Sequence, residues 1–237
     1  MTSDRIECLI PARGGSRRFP RKNIAPLDGR PLLGWAIEAA RTSGVFGDVW
    51  VSTDDAEIAA VASRYGARVH ERPRALGADD ATIAQVALDF AERRATAGAA
   101  ADHLGIVLPT AALLRAEDLR GGWDLLRARD ADFAVAVTTY LESPFQALEE
   151  VDGHLRLFFG SDGVRQSQKL PRVVVDSGYF YFVRVAALRE TRALYGERLV
   201  GYPIPRERSI DIDEPGHLVI AEALLALERQ RTAGVEP

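Results

Sequence analysis

Short apolar runs alternate with stretches of helical periodicity through the first half of the chain. Apolar residues spaced three and four positions apart indicate helices, and short continuous apolar runs indicate buried strands. Because strand and helix follow one another in turn, the pattern predicts a mostly parallel sheet with helices on both faces. The predicted strands are Ile6–Pro11, Val49–Thr53, Ala67–His70 and His103–Leu108, and the predicted helices are Pro31–Ala40, a helix capped by Asp54 or Asp55, Ala81–Arg94 and Ala116–Arg129.

Strand signals dominate after Asp132, and helix and strand then alternate again. The pair Asp152-Gly153 is a strong two-residue hairpin signal. We therefore expect an α/β fold in which residues 1–231 form one domain, residues 140–180 an antiparallel insertion, and residues 232–237 a tail. The predicted strands here are Phe133–Thr139, Ala147–Val151, Leu155–Phe159, Val173–Val183, Leu199–Pro203 and Ser209–Ile212, and the predicted helices are Val185–Leu194 and Pro215–Arg229.

Composition and charge narrow the class of protein. Of the 237 residues, 47% are hydrophobic and 27% are charged, which is typical of a globular protein. The formal net charge of -4 provides no global attraction to nucleic acid or to an anionic membrane. No apolar run approaches the roughly 18 residues of a membrane span, and the single cysteine, Cys8, lies in an apolar run and cannot form an intramolecular disulfide. We expect a cytoplasmic protein that binds neither nucleic acid nor membrane.

A glycine-rich basic loop follows the first predicted strand. Open α/β sheets bind ligands beyond the carboxyl ends of their strands, and adjacent glycines let backbone amides approach phosphate oxygens. Five cationic residues within ten positions can neutralise several negative charges. Neither the dinucleotide fingerprint nor the P-loop spacing is present. The loop predicts a triphosphate site of another kind, with a solvated basic turn as the alternative. Its residues are Ala12, Arg13, Gly14, Gly15, Ser16, Lys22 and Asn23.

These residues carry a family resemblance. The run Pro11 to Ser16, with Pro20, Lys22 and Asn23, resembles the signature of the CMP-sialic acid synthetases, the acylneuraminate cytidylyltransferases. The resemblance implies a fold like that of the nucleotide-diphospho-sugar transferases, CTP as substrate and a homodimer. It assigns Arg13 and Lys22 to the phosphates as catalytic residues, and the other loop residues with Asn23, Arg72 and Asp79 to the nucleotide. Further matching segments are Val51–Asp55, Arg72-Pro73, Ala78–Asp80, Pro109-Thr110, Leu114-Arg115, Asp176–Gly178 and Ile210–Asp213.

Two aspartates near the carboxyl end predict a metal site. In the predicted strand Ser209–Ile212 and the residue after it, period-two alternation sends both isoleucines to one face, and Asp211 and Asp213 to the other. Like charges at that spacing repel unless a cation lies between them, and magnesium takes one or two carboxylates together with phosphate oxygens. An exposed acidic edge strand is the alternative. The resemblance assigns metal binding to this pair, with Mg²⁺ or Mn²⁺ as the ion.

The acceptor side is expected to hold an acidic sugar. Because a planar guanidinium can grip a carboxylate with two hydrogen bonds, Arg165 is the candidate for that group. Thr110, Gln168 and Tyr179 are the other matched positions. An ordinary surface arginine is the alternative for Arg165, and a core position on a strand is the alternative for Tyr179. Leu108 stands where sialic acid synthetases carry glutamine, so the pocket should be more apolar and N-acetylneuraminate is disfavoured.

The segments around Arg165 and Asp176 are more similar to pseudaminic acid cytidylyltransferases. The resemblance therefore implies a cytidylyltransferase that activates a nonulosonic acid with CTP, releasing pyrophosphate, and it favours pseudaminic acid. Legionaminic and N-acetylneuraminic acids remain alternatives. A catalytically inactive module that binds CTP is a rival of another class, and a glycosyltransferase would not need the triphosphate loop. The four histidines show no triad or metal spacing.

Overall fold

The computed structural model describes residues 5–78, 80–160 and 170–232. The strands are β1 (Ile6–Pro11), β2 (Pro26–Leu27), β3 (Arg30–Pro31), β4 (Val49–Thr53), β5 (Arg68–Glu71), β6 (His103–Val107), β7 (Phe133–Thr138), β8 (Leu148–Val151), β9 (His154–Leu157), β10 (Val175–Arg184) and β11 (Leu199–Pro203). The helices are α1 (Leu32–Thr42), α2 (Ala56–Arg64), α3 (Ile83–Thr96), α4 (Ala116–Ala128), α5 (Val185–Thr191) and α6 (Pro215–Thr232).

Seven strands form one sheet in the order β11-β7-β10-β6-β1-β4-β5. Strand β10 runs antiparallel to both of its neighbours, and the other six strands run in one direction. The carboxyl ends of those six strands therefore share one edge of the sheet, and β10 begins at that edge. The antiparallel hairpin β8–β9 lies outside the sheet.

Helices cover both faces of the sheet, so the predicted α/β fold is confirmed. One core packs α1, α2, α4 and α6 against inward residues of β1 such as Cys8 and Ile10. The other packs α3 and α5 against the opposite face, where Leu9 points. Cys8 is fully buried, and burial raises the pKa of its thiol. Among the described residues, no helix is long and apolar enough to cross a membrane.

Local capping accounts for most small differences from the predicted bounds. Asp55, one of the two predicted caps, accepts hydrogen bonds from the amides of Glu57 and Ile58 at the start of α2. Helix α3 begins at Ile83 because Thr82 and Gln85 form a capping box. Helix α5 ends three residues before the prediction, where Arg192 adopts a left-handed conformation.

The predicted strand Ser209–Ile212 is wrong. The segment pairs with none of the strands in the described part of the chain. The Tyr179 hydroxyl donates to the carbonyl of Arg208 and accepts the amide of Ile210, so a side chain from β10 takes the place of a partner strand.

Candidate functional site

An open cleft of about 320 Å³ lies at the edge where the parallel strands end. It combines the loop after β1 with the segments that follow β5, β6 and β11. Each of these segments leaves the sheet at the same edge, which explains why residues nearly two hundred positions apart meet there. Its lining residues are Pro11, Arg13, Ser16, Lys22, Asn23, Arg72, Ala81, Ile83, Val86, Leu108, Pro109, Thr110, Asp211 and Asp213.

The loop after β1 is held by hydrogen bonds to its backbone. The Gly14 amide donates to Asp54 Oδ1 over 3.1 Å, and the buried Asn23 side chain donates to the Arg13 carbonyl over 2.9 Å. A Cβ atom at Gly14 would lie 2.8 Å from Asp55 Oδ2, so the glycine is required by packing. The second carboxylate of the Asp54-Asp55 pair thus caps α2, while the first fastens the loop. Ala12 is fully buried at the start of the loop, and its amide donates to the Ser52 carbonyl.

The cationic side chains of the loop divide into two groups: Lys22, Arg18 and Arg13 have partners around the cleft, whereas Arg21 has its partners at the start of α2. Lys22 Nζ lies 2.9 Å from Asp213 Oδ1, and Arg18 Nη2 lies 2.8 Å from Asp213 Oδ2. Arg13 Nη1 donates to the Ala78 carbonyl over 3.1 Å at the other side of the cleft. Arg21, in contrast, pairs with Asp55 and Glu57 at the start of α2.

A smaller cavity of about 90 Å³ adjoins the cleft and is lined almost entirely by the loop. Its walls carry four cationic side chains and one carboxylate, which is the composition expected where several phosphate oxygens are held. The lining residues are Arg13, Ser16, Arg17, Arg18, Phe19, Lys22 and Asp213. Gly15, in the same loop, faces open space, since a Cβ atom there would meet no other described residue within 4 Å.

Arg72 enters the cleft from the residue after β5 and is only 6% exposed. Its Nε donates to Ser52 Oγ over 3.2 Å and its Nη2 to the Ser52 carbonyl over 2.9 Å. Burial lowers the pKa of Arg72, and the nearby Asp54 carboxylate opposes that shift. A guanidinium remains charged in proteins, so the cleft contains a fixed buried cation.

Asp211 and Asp213 both reach the cleft, although the strand predicted for them is absent from the described part of the chain. The Asp211 side chain is open to the cleft, but the surrounding protein displaces part of its hydration and so raises its pKa; the hydrogen bond from the Thr110 hydroxyl opposes this, and the Asp213 carboxylate adds to it. The pKa of Asp213 is lowered, because Lys22 and Arg18 outweigh the opposing effect of burial. Gly178 has a φ of 68°, and a Cβ there would lie 3.2 Å from Asp211 Cγ, so the bulge in β10 lets the backbone approach this carboxylate.

Two side chains, the buried Arg208 and the half-buried His217, hold the segment that carries the aspartates. Arg208 Nη1 and Nη2 lie 2.8 and 2.9 Å from the two oxygens of Asp118, which caps α4, and Nη1 also donates to the Leu113 carbonyl. His217 Nδ1 accepts the Asp213 amide over 3.1 Å. Sequence reasoning missed Arg208 and His217, because their partners are set by tertiary contacts that no local motif announces.

The aspartate pair fits a hard divalent cation that also binds the substrate. No group of three or more histidine, cysteine, aspartate or glutamate side chains that could hold a metal occurs among the residues that the structure describes. Two carboxylates with phosphate oxygens and water form the usual donor set of Mg²⁺. The mutual repulsion that contributes to the raised pKa of Asp211 is the electrostatic condition that such an ion relieves.

One part of the cleft wall is apolar and comes from the start of α3 and the segment after β6. Leu108, which stands where the sialic acid synthetases carry a glutamine, lies in this wall. The wall also contains Ala81, Ile83, Val86 and Pro109. Thr110 is buried beside this wall, and its hydroxyl donates a hydrogen bond to the Asp211 carboxylate.

Other predicted acceptor residues do not join this wall. Tyr179 is 0% exposed and its hydroxyl is occupied by Arg208 and Ile210, so it is a core residue and the predicted contact with the sugar is wrong. Asp79, Arg165 and Gln168 lie outside the described residues.

Comparisons with known proteins agree with this architecture. Residues 7–120 match a family described as Cytidylyltransferase. The chain is 33% identical over 227 residues to pseudaminic acid cytidylyltransferase of Campylobacter jejuni, covering 94% of this chain and 97% of that protein. It is 32% identical over 222 residues to N-acylneuraminate cytidylyltransferase A of Danio rerio, covering 89% of this chain and 48% of that protein.

Solved structures show the same fold at low sequence identity. A CMP:2-keto-3-deoxy-manno-octonic acid synthetase complexed with CTP matches with a TM-score of 0.71 at 16% identity, covering 94% of this chain and 99% of that one. A 4-diphosphocytidyl-2C-methyl-D-erythritol synthase from Anaerococcus prevotii matches with a TM-score of 0.66 at 11% identity, with the same coverage. At these identities the likeness concerns the fold alone.

Proposed function

The chain belongs to the cytidylyltransferase family and is a nucleotidyltransferase of the acylneuraminate type, and from this premise we propose that it joins CTP to a nonulosonic acid, with pseudaminic acid as the favoured acceptor. A hydroxyl oxygen of the sugar acid attacks the α-phosphorus of CTP. The bond from that phosphorus to the bridging oxygen breaks, and pyrophosphate leaves. The products are the CMP-sugar, pyrophosphate and the proton lost by the attacking hydroxyl.

The observation that carries the proposal is the composition of the cleft. Loop cations, a buried arginine, two carboxylates and an apolar wall meet at one edge of the sheet. A nucleoside triphosphate supplies the negative charge that balances the loop cations and the buried arginine. An acceptor with deoxy or acylamido groups suits the apolar wall. No residue has to form a covalent bond, since binding and electrostatic stabilisation account for the reaction.

Arg13 and Lys22 stabilise the charge that moves onto the leaving pyrophosphate. Lys22 already reaches Asp213, and a bound triphosphate offers it a second anionic partner. The Ser16 hydroxyl and the Gly15 amide contribute neutral donors at the same loop. Asn23 acts on the nucleotide indirectly, because its side chain holds the Arg13 carbonyl.

The metal is proposed to bind Asp211 and Asp213. A bound Mg²⁺ or Mn²⁺ neutralises negative charge on the triphosphate and so favours attack at phosphorus. The chain prepares this site by holding Asp211 with Thr110, and by fastening the segment through Arg208. Lys22 and Arg18 keep Asp213 ionised, so it is ready to accept a cation at neutral pH.

Pseudaminic acid is favoured over N-acetylneuraminic acid because of Leu108. An apolar side chain in the acceptor wall leaves a substrate hydroxyl without a partner, and it matches a less hydroxylated sugar. The relative from Campylobacter jejuni is named for the same acceptor. We assign the sugar carboxylate to Arg165 and a further contact with the sugar to Gln168, both in the inserted region of the sequence.

The domain organisation is proposed to be a single domain over residues 1–231 with an inserted region at 140–180. The hairpin in that region exposes Leu148, Leu155, Phe158 and Phe159. Phe159 contacts Phe145 and Phe158 at ring-centroid distances of 5.6 and 5.0 Å. Such a surface suits the interface of a homodimer, in which the hairpin of one protomer approaches the acceptor end of its partner.

The deciding experiment measures magnesium-dependent pyrophosphate release from CTP. Pseudaminic, legionaminic, N-acetylneuraminic and 3-deoxy-octulosonic acids are offered separately. We expect release with pseudaminic acid at the highest kcat/KM, and Leu108→Gln should shift the ratio toward N-acetylneuraminic acid. Release with another acid alone would overturn the choice of acceptor. CTP binding without release from any acid would favour the inactive binding module.

A further inference from the structure

Below the cleft, a row of buried polar side chains joins two neighbouring strands to Arg72. Ser52 on β4 and His70 on β5 are register partners, and His70 Nδ1 lies 3.1 Å from Ser52 Oγ. Ser52 Oγ also accepts the Nε hydrogen of Arg72 over 3.2 Å. All three side chains are buried.

The far end of the row fixes the direction of its hydrogen bonds. His70 Nε2 faces Asp89 Oδ2 at 3.3 Å, a charge contact that lacks hydrogen-bond geometry, and Arg93 holds the same carboxylate at 3.1 Å. A nitrogen lone pair opposite a carboxylate is repelled, so the ring hydrogen belongs on Nε2. Nδ1 of the neutral ring then accepts the Ser52 hydroxyl hydrogen, because arginine can only donate.

The surroundings keep His70 neutral. Burial lowers its pKa, the Asp89 carboxylate opposes this, and the cations of Arg93 and Arg72 add to the lowering. The Phe90 ring meets the imidazole edge-on at 5.3 Å. Since Ser52 is completely buried, the Asp89, His70 and Ser52 row cannot act as a nucleophilic triad.

We propose that His70 is a positioning residue for nucleotide binding, which orients the Ser52 hydroxyl so that it holds the Arg72 guanidinium at the cleft. The inference rests on the proposed CTP site. Ser52 contributes both its hydroxyl and its carbonyl to the same guanidinium, so two donors of Arg72 are fixed from below. The guanidinium reaches the cleft already oriented, and the nucleotide does not have to order it.

The test is the Kd of CTP, measured by titration calorimetry without an acceptor sugar. His70→Leu removes the acceptor and should weaken CTP binding about fivefold, the equivalent of one neutral hydrogen bond. His70→Asn places a polar atom near the Nδ1 position and should restore the Kd to within about twofold of the wild-type value. Ser52→Ala should weaken binding as much as His70→Leu.

The matched control is His103→Leu. His103 is also a buried histidine on a strand and packs against Trp123, but it begins β6 at the edge away from the cleft. Denaturant unfolding of each variant reports the loss of stability. His103→Leu should lose stability while the Kd for CTP stays at the wild-type value.

Two failures are distinguishable. If His70→Leu binds CTP with the same Kd as His70→Asn and His103→Leu, His70 is only a core residue and the inference is overturned. Arg72→Lys tests the proposed function itself, because a lysine ammonium cannot reproduce the planar set of donors of the guanidinium. If that variant binds CTP as tightly as the wild type, the nucleotide contact at Arg72 is wrong, whatever the histidine variants do.

Discussion

The proposed nucleotide end of the cleft is the loop after β1 together with Arg72, and the proposed acceptor end is the apolar wall at Leu108. The two ends differ in how the fold holds their side chains. The nucleotide end takes its residues from the carboxyl ends of parallel strands, and these residues are held by buried partners, as Arg72 is held by Ser52. The proposed acceptor end has an apolar wall at Leu108, and the hairpin that we propose completes it in a partner protomer is followed by Phe158 and Phe159, which are 58% and 45% exposed. The proposed phosphate contacts are thus held by hydrogen bonds to the sheet, whereas the proposed acceptor contacts depend in part on a hairpin outside it.

The largest expected effect comes from the buried ion pair behind the nucleotide end. Arg208→Leu leaves Asp118 buried and unpaired, and should lower the free energy of unfolding by about 3–5 kcal/mol at pH 7. Urea unfolding measures this. Adding Asp118→Asn removes the unpaired charge and keeps the oxygen that caps α4, so the double variant should be at least as stable as the single one. A double variant less stable than the single one would show that the charge is not the cause.

The next effect tests the loop cations. Lys22→Gln removes a charge at the proposed phosphate site, and should lower kcat by about a hundredfold or more, as loss of an electrostatic donor does in other enzymes. Arg21→Gln is the control on the same loop, because Arg21 pairs with Asp55 and Glu57 outside the cleft lining. Pyrophosphate release measures both. Equal losses in the two variants would mean that general loop charge, rather than a specific contact, supports the reaction.

A smaller effect tests the acceptor end. Phe158→Ser should weaken self-association and raise the KM for the sugar acid about tenfold, the equivalent of about 1.4 kcal/mol, while the Kd for CTP stays unchanged. Sedimentation velocity measures self-association, pyrophosphate release measures the KM for the sugar acid, and calorimetry measures the Kd for CTP. A loss of CTP affinity of the same size would erase the distinction between the ends of the cleft.

The smallest effect concerns pH at the base of the loop. Although burial opposes it, hydrogen bonds from Ile58, Arg21 and Glu57 lower the pKa of Asp55 below its ordinary 3.8. The stability that this carboxylate contributes is present above pH 3.8 and is lost as the pH falls through the lowered value. Asp55→Asn keeps a capping oxygen, so it should cost at most about 1 kcal/mol at pH 7 and flatten the acid limb of the stability curve. An unchanged acid limb would assign the effect to other carboxylates.

The contrast between the ends also appears in what the sequence could predict. The bounds of strands β1 and β4 and the cap at Asp55 follow from local patterns and match the expectation. The strand predicted over Ser209–Ile212 failed because its hydrogen bonds come from Tyr179, about thirty positions away, and alternation cannot distinguish a partner strand from a side chain.

Pairings across the sheet were beyond local reasoning for the same reason. The contact between Ser52 and His70 depends on the register of two strands, and Arg208 meets Asp118 from ninety positions away. Tyr179 looked like a pocket residue because it stands in a matched motif, but its position on the central strand β10 makes it part of the core.

The antiparallel course of β10 has a consequence for how freely the segment between β7 and β10 can vary. Thr138 at the end of β7 and Val175 at the start of β10 are register partners, so the chain between them leaves and rejoins the sheet at one point. Such an excursion behaves as a cassette. Its length and composition can vary at little cost, because doubling a loop adds only about 0.6 kcal/mol of closure entropy. We therefore expect that exchange of residues 139–174 between relatives would leave the pairing of the seven-stranded sheet unchanged.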